Sequence, residues 1–234
     1  MEKKMKVRLL SYSQAPTKQI PGGEGYIGNF ADLKDVQDLV AFCARVSNPS
    51  NQMNTETSEK LLTYLAKHKH WSPFEMVSVC LEVETTRDIA RQLLRHRSFS
   101  FQEFSQRYAD PTEDLEFVVR EARLQDPKNR QNSVEVEDKE LHKGWEIAQR
   151  NVAHEARMAY KWAIEHGIAK EQARAVLPEG LIVSRLYVNG TLRSWLHYID
   201  LRSGEETQKE HIELAKECAR AIHLIYPQIE KYVQ

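Results

Sequence analysis

Arg95, His96 and Arg97 stand side by side, and Ser100, Gln102, Glu103, Ser105 and Arg107 follow closely. Gln92 lies three residues before Arg95, on the same face of the helix read for 86–96. One helix end and the turn after it thus carry guanidinium forks, an imidazole, amides, a carboxylate and hydroxyls. Guanidinium pairs bidentately with phosphate and carbonyl oxygens. Such a density of donors points to a site for an oxygen-rich anion.

Arg87, Arg91 and Arg95 are spaced four apart and share one helix face. Arg87 and Arg91, with Asp88 offsetting part of their repulsion, read as a solvated basic face. Arg174 precedes a helix stop, and Arg202 ends an amphipathic helix. For both, a helix-dipole role and a ligand role stand at even weight.

Other constellations carry less. Gly23-Glu24-Gly25-Tyr26-Ile27-Gly28 spells G-x-G-x-x-G, but no strand precedes it directly and no helix opens from its last glycine. It reads as a loop. His68 and His70 make an H-x-H pair near a helix end, no H-E-x-x-H occurs, and no metal is expected. The three cysteines, Cys43, Cys80 and Cys218, are far apart and suit a reducing compartment.

The elements that position these groups follow from hydrophobic period and chain breakers. Residues 6–13 read as a strand and 14–31 as a loop. A helix begins near Asp32, burying Val36, Leu39, Val40, Cys43 and Val46, and stops at Asn48-Pro49. Thr55–Thr57 opens a second helix with Leu61, Leu62 and Leu65 inside. Residues 76–85 read as a buried strand, 86–96 as a helix, and the segment after Arg97 as extended. The polar stretch 109–138 carries one strand at Phe117–Arg120. Helices are expected over 138–166, 169–176, 191–201 and 205–225, and a strand over 181–188.

The sum is an α/β (α+β) fold, a single helix-rich domain with a modest sheet over residues 1–234. The composition, 41% hydrophobic and 29% charged, is that of a globular chain. A net charge of −1 gives no bulk field for nucleic acid or anionic membrane, so any anion site must be a local arginine cluster. No apolar run is long enough for a signal peptide or a membrane span, and a cytoplasmic location is expected.

The run Arg95 to Arg107 resembles the signature of flavin-dependent thymidylate synthases, R-H-R-x-x-S-x-N-x-x-S-x-R. Gln102 stands where Asn is usual, which keeps the amide and changes its reach. His70-Trp71-Ser72-Pro73-Phe74-Glu75 is similar to the family's H-x-[ST]-P-F-E segment, and Arg91-Gln92 precedes the signature as in the family. Ala173–Pro178 resembles A-R-x-x-L-P, and Asn189–Arg202 resembles the region that closes the active site. The match spans about residues 5–225.

This resemblance implies reductive methylation of dUMP to dTMP. Methylene-tetrahydrofolate would be the carbon donor and NADPH the reductant, acting through FAD. Position by position it implies dUMP contacts from Gln92, Arg95, Glu103, Phe104, Ser105, Gln106, Arg107, Arg174 and Arg202. It implies FAD contacts from Ser72, Arg95, His96, Arg97, Glu103, Asn189, Arg193 and His197, with His70 near flavin and folate. Arg202 is implied as the guanidinium that stabilises the uracil anion formed when N3 loses its proton, which enriches C5 in electrons. Ser105 is the second catalytic candidate. No base stands beside it in sequence, so it reads as a hydrogen-bond partner of the nucleotide. A homotetramer with shared active sites is also implied.

Three rival readings remain at this point. One is a related flavoenzyme acting on another pyrimidine nucleotide. One is a non-catalytic nucleotide- or RNA-binding module, which the −1 charge disfavours. The last is a flavin-dependent NADPH oxidase without methyl transfer.

Overall fold

The computed structural model describes residues 5–16, 30, 32–114 and 116–234. The Gly23–Gly28 loop lies outside these described residues.

β1 (Lys6–Tyr12) opens the fold. α1 (Val36–Ala44) follows, its first turn capped by the Asp35 carboxylate accepting from the Asp38 amide. The expected helix start near Asp32 therefore moves to the capping aspartate. Val46, expected on the buried stripe, lies past the helix end and is 69% exposed. α2 (Ser58–Lys67) buries Leu62 and Leu65 as expected. A 3₁₀ turn over Ser72–Met76 begins at the Ser72-Pro73 break.

β2 (Ser78–Thr86) alternates as far as Thr85, after which Thr86 is buried as well. Val79, Leu81, Val83 and Thr85 are buried, and the residues between them are partly open. α3 (Arg87–Leu93) starts directly after the last residue of β2 and stops earlier than the 86–96 reading. β3 (Phe99–Glu103) is the expected extended exit. Then come a single turn, α4 (Pro111–Asp114), and a small hairpin of β4 (Arg123–Gln125) and β5 (Ser133–Glu135). The strand read at Phe117–Arg120 reduces to one bridge between Phe117 and Ile182. α5 (Lys139–Glu165) is capped by Asp138 and ends before Gly167, whose φ of +76° terminates the helix. α6 (Lys170–Ala173), a 3₁₀ turn at Arg174–Val176, β6 (Val183–Thr191), α7 (Leu192–Arg202) and α8 (Lys209–His223) complete the order, with a 3₁₀ segment at Pro227–Tyr232.

β1, β2, β6 and β3 lie side by side in that order, every neighbouring pair antiparallel. β6 is thus a central strand, three residues longer than the 181–188 reading at its C-terminal end. Its buried face (Leu186, Val188) joins Val79, Leu81 and Val83 of β2. Side chains from α1, α2, α7 and α8 close over that face in one core, with Trp195, Tyr198, Leu214 and Ile222 fully enclosed. A second cluster (Tyr160, Ala163, Ala173, Leu177, Ile182) ties α5 to α6 and to the start of β6.

Gly190 is the tight point of the sheet. It pairs with Phe99 of β3, and a Cβ there would lie 2.3 Å from the Phe99 ring. Gly190→Ala is expected to cost roughly 1–3 kcal/mol through overpacking. Urea unfolding at constant m-value reads this directly. A wild-type midpoint would mean that the Phe99 ring can leave its position freely.

Candidate active site

The signature wraps around the α3–β3 corner. The turn is tight: the His96 amide donates to the Leu93 carbonyl at 3.0 Å, and the Phe99 amide to the His96 carbonyl at 3.3 Å. β3 then runs back along β6, and the Phe104 amide extends the pairing to the Arg185 carbonyl at 2.8 Å. Residues 105–109 close a second turn, in which the Tyr108 and Ala109 amides donate to the Ser105 carbonyl.

Within one chain the expected nucleotide residues fall into two clusters. The first lies where the end of α3 meets α7 and α8. Arg202, the last residue of α7, donates its Nε–H to His96 Nε2 at 3.0 Å. Of the two readings weighed for Arg202, the dipole role is not what its Nε–H serves. Burial, with Arg202, His197 and Arg95 nearby, pushes the His96 imidazole down to about 4, so it is neutral and accepts at Nε2. The ring stands edge-on to Tyr198, 5.0 Å between centroids at 88°. Arg202 keeps both Nη groups without a hydrogen-bond partner among the described residues. Gln92 joins this cluster through His211 and Gln208.

The second cluster gathers at the end of β3. Glu103 accepts from Arg87 Nη1 at 3.3 Å and from the Ser184 hydroxyl at 2.9 Å, with Arg91 Nη1 at 3.6 Å. Arg87 also donates to Glu179 at 3.5 Å, and its side chain is only 7% exposed. The reading of Arg87 as part of a solvated face is therefore corrected. Carboxylates from the β3 end and from the loop before β6 converge on it and make its burial tolerable. Arg91 is half exposed and pairs with the same two carboxylates.

Gln106 is buried, and its Nε2 lacks a hydrogen-bond partner. It lines a cavity of about 420 Å³ with Arg87, Arg91, Glu171, Arg174 and Glu179. An orphaned buried amide donor beside three arginines suits a ligand oxygen. Arg107 pairs with Glu171 at 3.2 Å, and Arg174 Nε donates to the Glu171 carbonyl at the end of α6. Arg174 thus does serve a helix end, as one of its two readings held. Ser105 Oγ accepts only from the Arg107 amide at 3.3 Å among the described residues, and no general base is hydrogen-bonded to it.

The expected flavin residues lie mostly in the open. His70, Ser72, Arg97, Asn189, Arg193 and His197 are exposed. Arg193 pairs with Glu75 of the Ser72–Met76 turn, and Ser194 Oγ reaches the Ser98 carbonyl at 3.4 Å, which joins the 3₁₀ turn, the start of α7 and the Arg97–Ser98 corner. Asn189 sits across from Cys80 and Ser100 on the partly open sheet face. Neither the Arg95 nor the Arg97 side chain has a hydrogen-bond or ion-pair partner among the described residues, although Arg95 does lower His96. Free guanidiniums beside hydroxyl donors fit the pyrophosphate of a dinucleotide.

The thymidylate synthase complementing protein family model matches residues 30–228. A probable flavin-dependent thymidylate synthase of Paramecium bursaria Chlorella virus 1 is 46% identical over 199 residues, covering 85% of this chain and 91% of that protein. The flavin-dependent thymidylate synthase of Synechocystis sp. is 47% identical over 193 residues, covering 82% and 87%. The chain belongs to the flavin-dependent thymidylate synthase family. Its fold is that of the crystal structure of a UMP/dUMP methylase, PolB, from Streptomyces cacaoi bound with 5-Br dUMP. That likeness has a TM-score of 0.78 at 24% identity, covering 98% of this chain and 94% of that one.

For this family member, sequence reasoning missed Arg87, Tyr198, Gln208 and His211. A signal existed for His211. It continues the stripe of Leu214, Ala215, Cys218 and Ile222 that α8 turns inward, an unusual place for an imidazole. Burial, followed by Arg202 and His96, pushes it down to about 3. Both imidazoles fall below the ordinary value of 6.5, so between these limits the unfolded chain binds more protons than the folded one. Their contribution to stability is complete above 6.5 and is lost as pH falls toward about 4 for His96 and about 3 for His211. Thermal unfolding between pH 7 and 4 is expected to show a smaller loss in His211→Asn than in the wild type. Equal slopes would sink the assignment of a neutral, buried His211.

Proposed function

We propose that this chain methylates dUMP to dTMP, taking the carbon from methylene-tetrahydrofolate and the reducing equivalents from NADPH through FAD. The observation that carries this reading is the hydrogen bond from Arg202 to His96 of the signature. A neutral imidazole takes only the Nε–H of Arg202. The two Nη groups remain as a fork of fixed orientation, matched to the O2 and N3 edge of a uracil whose N3 has lost its proton. The negative charge so stabilised raises electron density at C5, the carbon that must attack. No thiolate is needed. Burial raises Cys43 and Cys80, and drives Cys218 further up, away from the nucleophilic form.

In this reading Gln106, Arg107 and Arg174 hold the phosphate end, supported by the orphaned Gln106 amide. Ser105 and Phe104 flank the nucleotide, and Glu103 fixes Arg87 and Arg91 behind it. Ser72, Arg95, Arg97, Asn189 and Arg193 would hold FAD, with His70 and His197 at its margin. The chemistry FAD supplies when bound is hydride transfer, which NADPH replenishes.

A homotetramer with shared sites follows from the same reading, and two features favour it. The ligand residues form two separate clusters in one chain. α5 also leaves large apolar side chains open, Leu141, Trp145, Val152 and Trp162 each being at least 40% exposed. Among the described residues no helix is long and apolar enough to cross a membrane. The three unpaired cysteines suit a cytoplasmic setting.

The deciding experiment is anaerobic dTMP formation from dUMP, methylene-tetrahydrofolate and NADPH, with and without FAD. Product is expected only with flavin. Arg202→Ala is expected to remove product while keeping flavin bound, and Arg95→Ala to weaken dUMP binding. A flavin-loaded enzyme that leaves dUMP unchanged would overturn the substrate and turn the search to cytosine nucleotides.

A further inference from the structure

His211 is enclosed between α7 and α8 with no exposed surface. Its Nδ1 lies 3.1 Å from Gln92 Oε1, and its Nε2 lies 3.1 Å from the Tyr198 hydroxyl. Gln92 Nε2 donates to Gln208 Oε1 at 2.9 Å, and Gln208 Nε2 donates to Glu210 Oε2 at 2.9 Å. Five side chains thus form one line of hydrogen bonds from the core to the surface.

The direction of every link is set from the outer end. Burial pushes the Glu210 carboxyl up, but the bonded Arg123 guanidinium and other donors outweigh it and hold the carboxyl below the usual range, so it is ionised and can only accept. Gln208 must therefore turn its NH₂ outward and its oxygen inward. That oxygen requires a donor, so Gln92 presents its NH₂ to it and its own oxygen to His211. Gln92 Oε1 in turn requires a proton on His211 Nδ1. A neutral ring with Nδ1–H has a lone pair at Nε2, and the Tyr198 hydroxyl supplies the proton there. Burial raises that hydroxyl well above its ordinary range, so it remains a donor. With the ring neutral, no link can reverse without leaving two acceptors or two donors facing each other, at a cost typical of an unsatisfied buried group.

We propose that His211 is a positioning residue for the nucleotide: through its Nδ1–H it locks the Gln92 carboxamide with the nitrogen fixed as a donor. Gln92 then offers a ligand one remaining N–H whose orientation is set before binding. The matching ligand atom is an acceptor oxygen of the nucleotide. Without His211 the Gln92 oxygen loses its donor, only the Gln208 contact still opposes a turn of the amide, and in part of the population the oxygen meets that acceptor. This deepens the function proposed above and rests on Gln92 as a dUMP contact.

Two measurements on the flavin-loaded enzyme test it. Long-range ¹H–¹⁵N spectra of the nucleotide-free protein are expected to show His211 in the Nδ1–H tautomer. An Nε2–H tautomer overturns the proposal, whatever the substrate is. The second is dUMP affinity and turnover. His211→Leu is expected to raise the dUMP dissociation constant about tenfold, equivalent to ~1.4 kcal/mol. Turnover at saturating dUMP and flavin content should stay near wild type. His211→Asn keeps a donor near the Nδ1 position and should restore most of the affinity. His211→Gln places its amide near Nε2 and should not. In a Gln92→Ala background His211→Leu should add nothing. Should the leucine variant fail to fold, Tyr198→Phe, which removes the hydroxyl that satisfies Nε2 and so loosens the ring, is expected to weaken dUMP binding partway. Unchanged dUMP affinity in a folded His211→Leu or Tyr198→Phe protein, equal behaviour of Asn and Gln, or additive losses with Gln92→Ala would each overturn it. If the wild type binds no dUMP at all, the substrate reading falls, and the tautomer alone decides whether Gln92 is locked.

Discussion

The contact of the Phe99 ring with the backbone of Gly190 is the constraint on which the rest of the site depends. It seats β3 on β6 at the point where β6 is about to become α7. Phe99 also packs on Trp195 with centroids 4.5 Å apart, and on Tyr198 at 5.8 Å. Trp195 is itself anchored by its indole N–H on the Val79 carbonyl of β2. One ring therefore joins β3, β6, α7 and, through Trp195, β2. The corner at residues 95–98 has no freedom to lift from α7, because its next residue is the ring that is trapped. The Arg202–His96 hydrogen bond is a consequence of this packing, and so is the edge-on meeting of His96 and Tyr198.

The order of elements was legible where burial followed a simple period. β2 reads from its alternation, α2 and α8 from their stripes, and α5 from its length and the glycine after it. The misses share a cause. β4 and β5 are three residues each and mostly exposed, so no apolar pattern marks them. The last residues of β6, Asn189, Gly190 and Thr191, look like turn chemistry. Asn189 and Gly190 are strand because β2 and β3 pair with them on both sides, and Thr191 pairs with β2 while serving as the N-cap of α7. Tertiary pairing decided both cases, and local propensity carries no trace of it.

The site divides in the same way. Types and spacing pointed to the polar groups between Arg95 and Arg107, because their density is unusual at a plain helix end. Spacing could not say what lies opposite a residue. Arg87 and Arg91 share a face in sequence, yet one is buried against two carboxylates and the other is half open. Glu103 stood in the signature throughout, but its link to Arg87 depends on β3 returning alongside β6. Gln208 and His211 lie more than a hundred residues from Gln92 in sequence and meet it only because α8 crosses the end of α3.

Two neutral imidazoles, His96 and His211, both lie near Arg202, and both are depressed by burial first and by that charge second. A cation flanked by neutral rings, with no carboxylate hydrogen-bonded to it among the described residues, keeps its full charge for a ligand. The opposite arrangement holds in the second cluster, where Glu103 and Glu179 draw on Arg87 and Arg91. There the acids moderate the field, so what remains is set more by the orphaned Gln106 amide and by shape. The first cluster is thus suited to a charge that develops during a reaction, because among the described residues no acid is hydrogen-bonded to its guanidinium. The second is suited to a charge that is permanent in the ligand, where binding and release must both be accessible. That division of labour is a property of which neighbours are neutral and which are ionised, and it follows from burial rather than from the number of arginines.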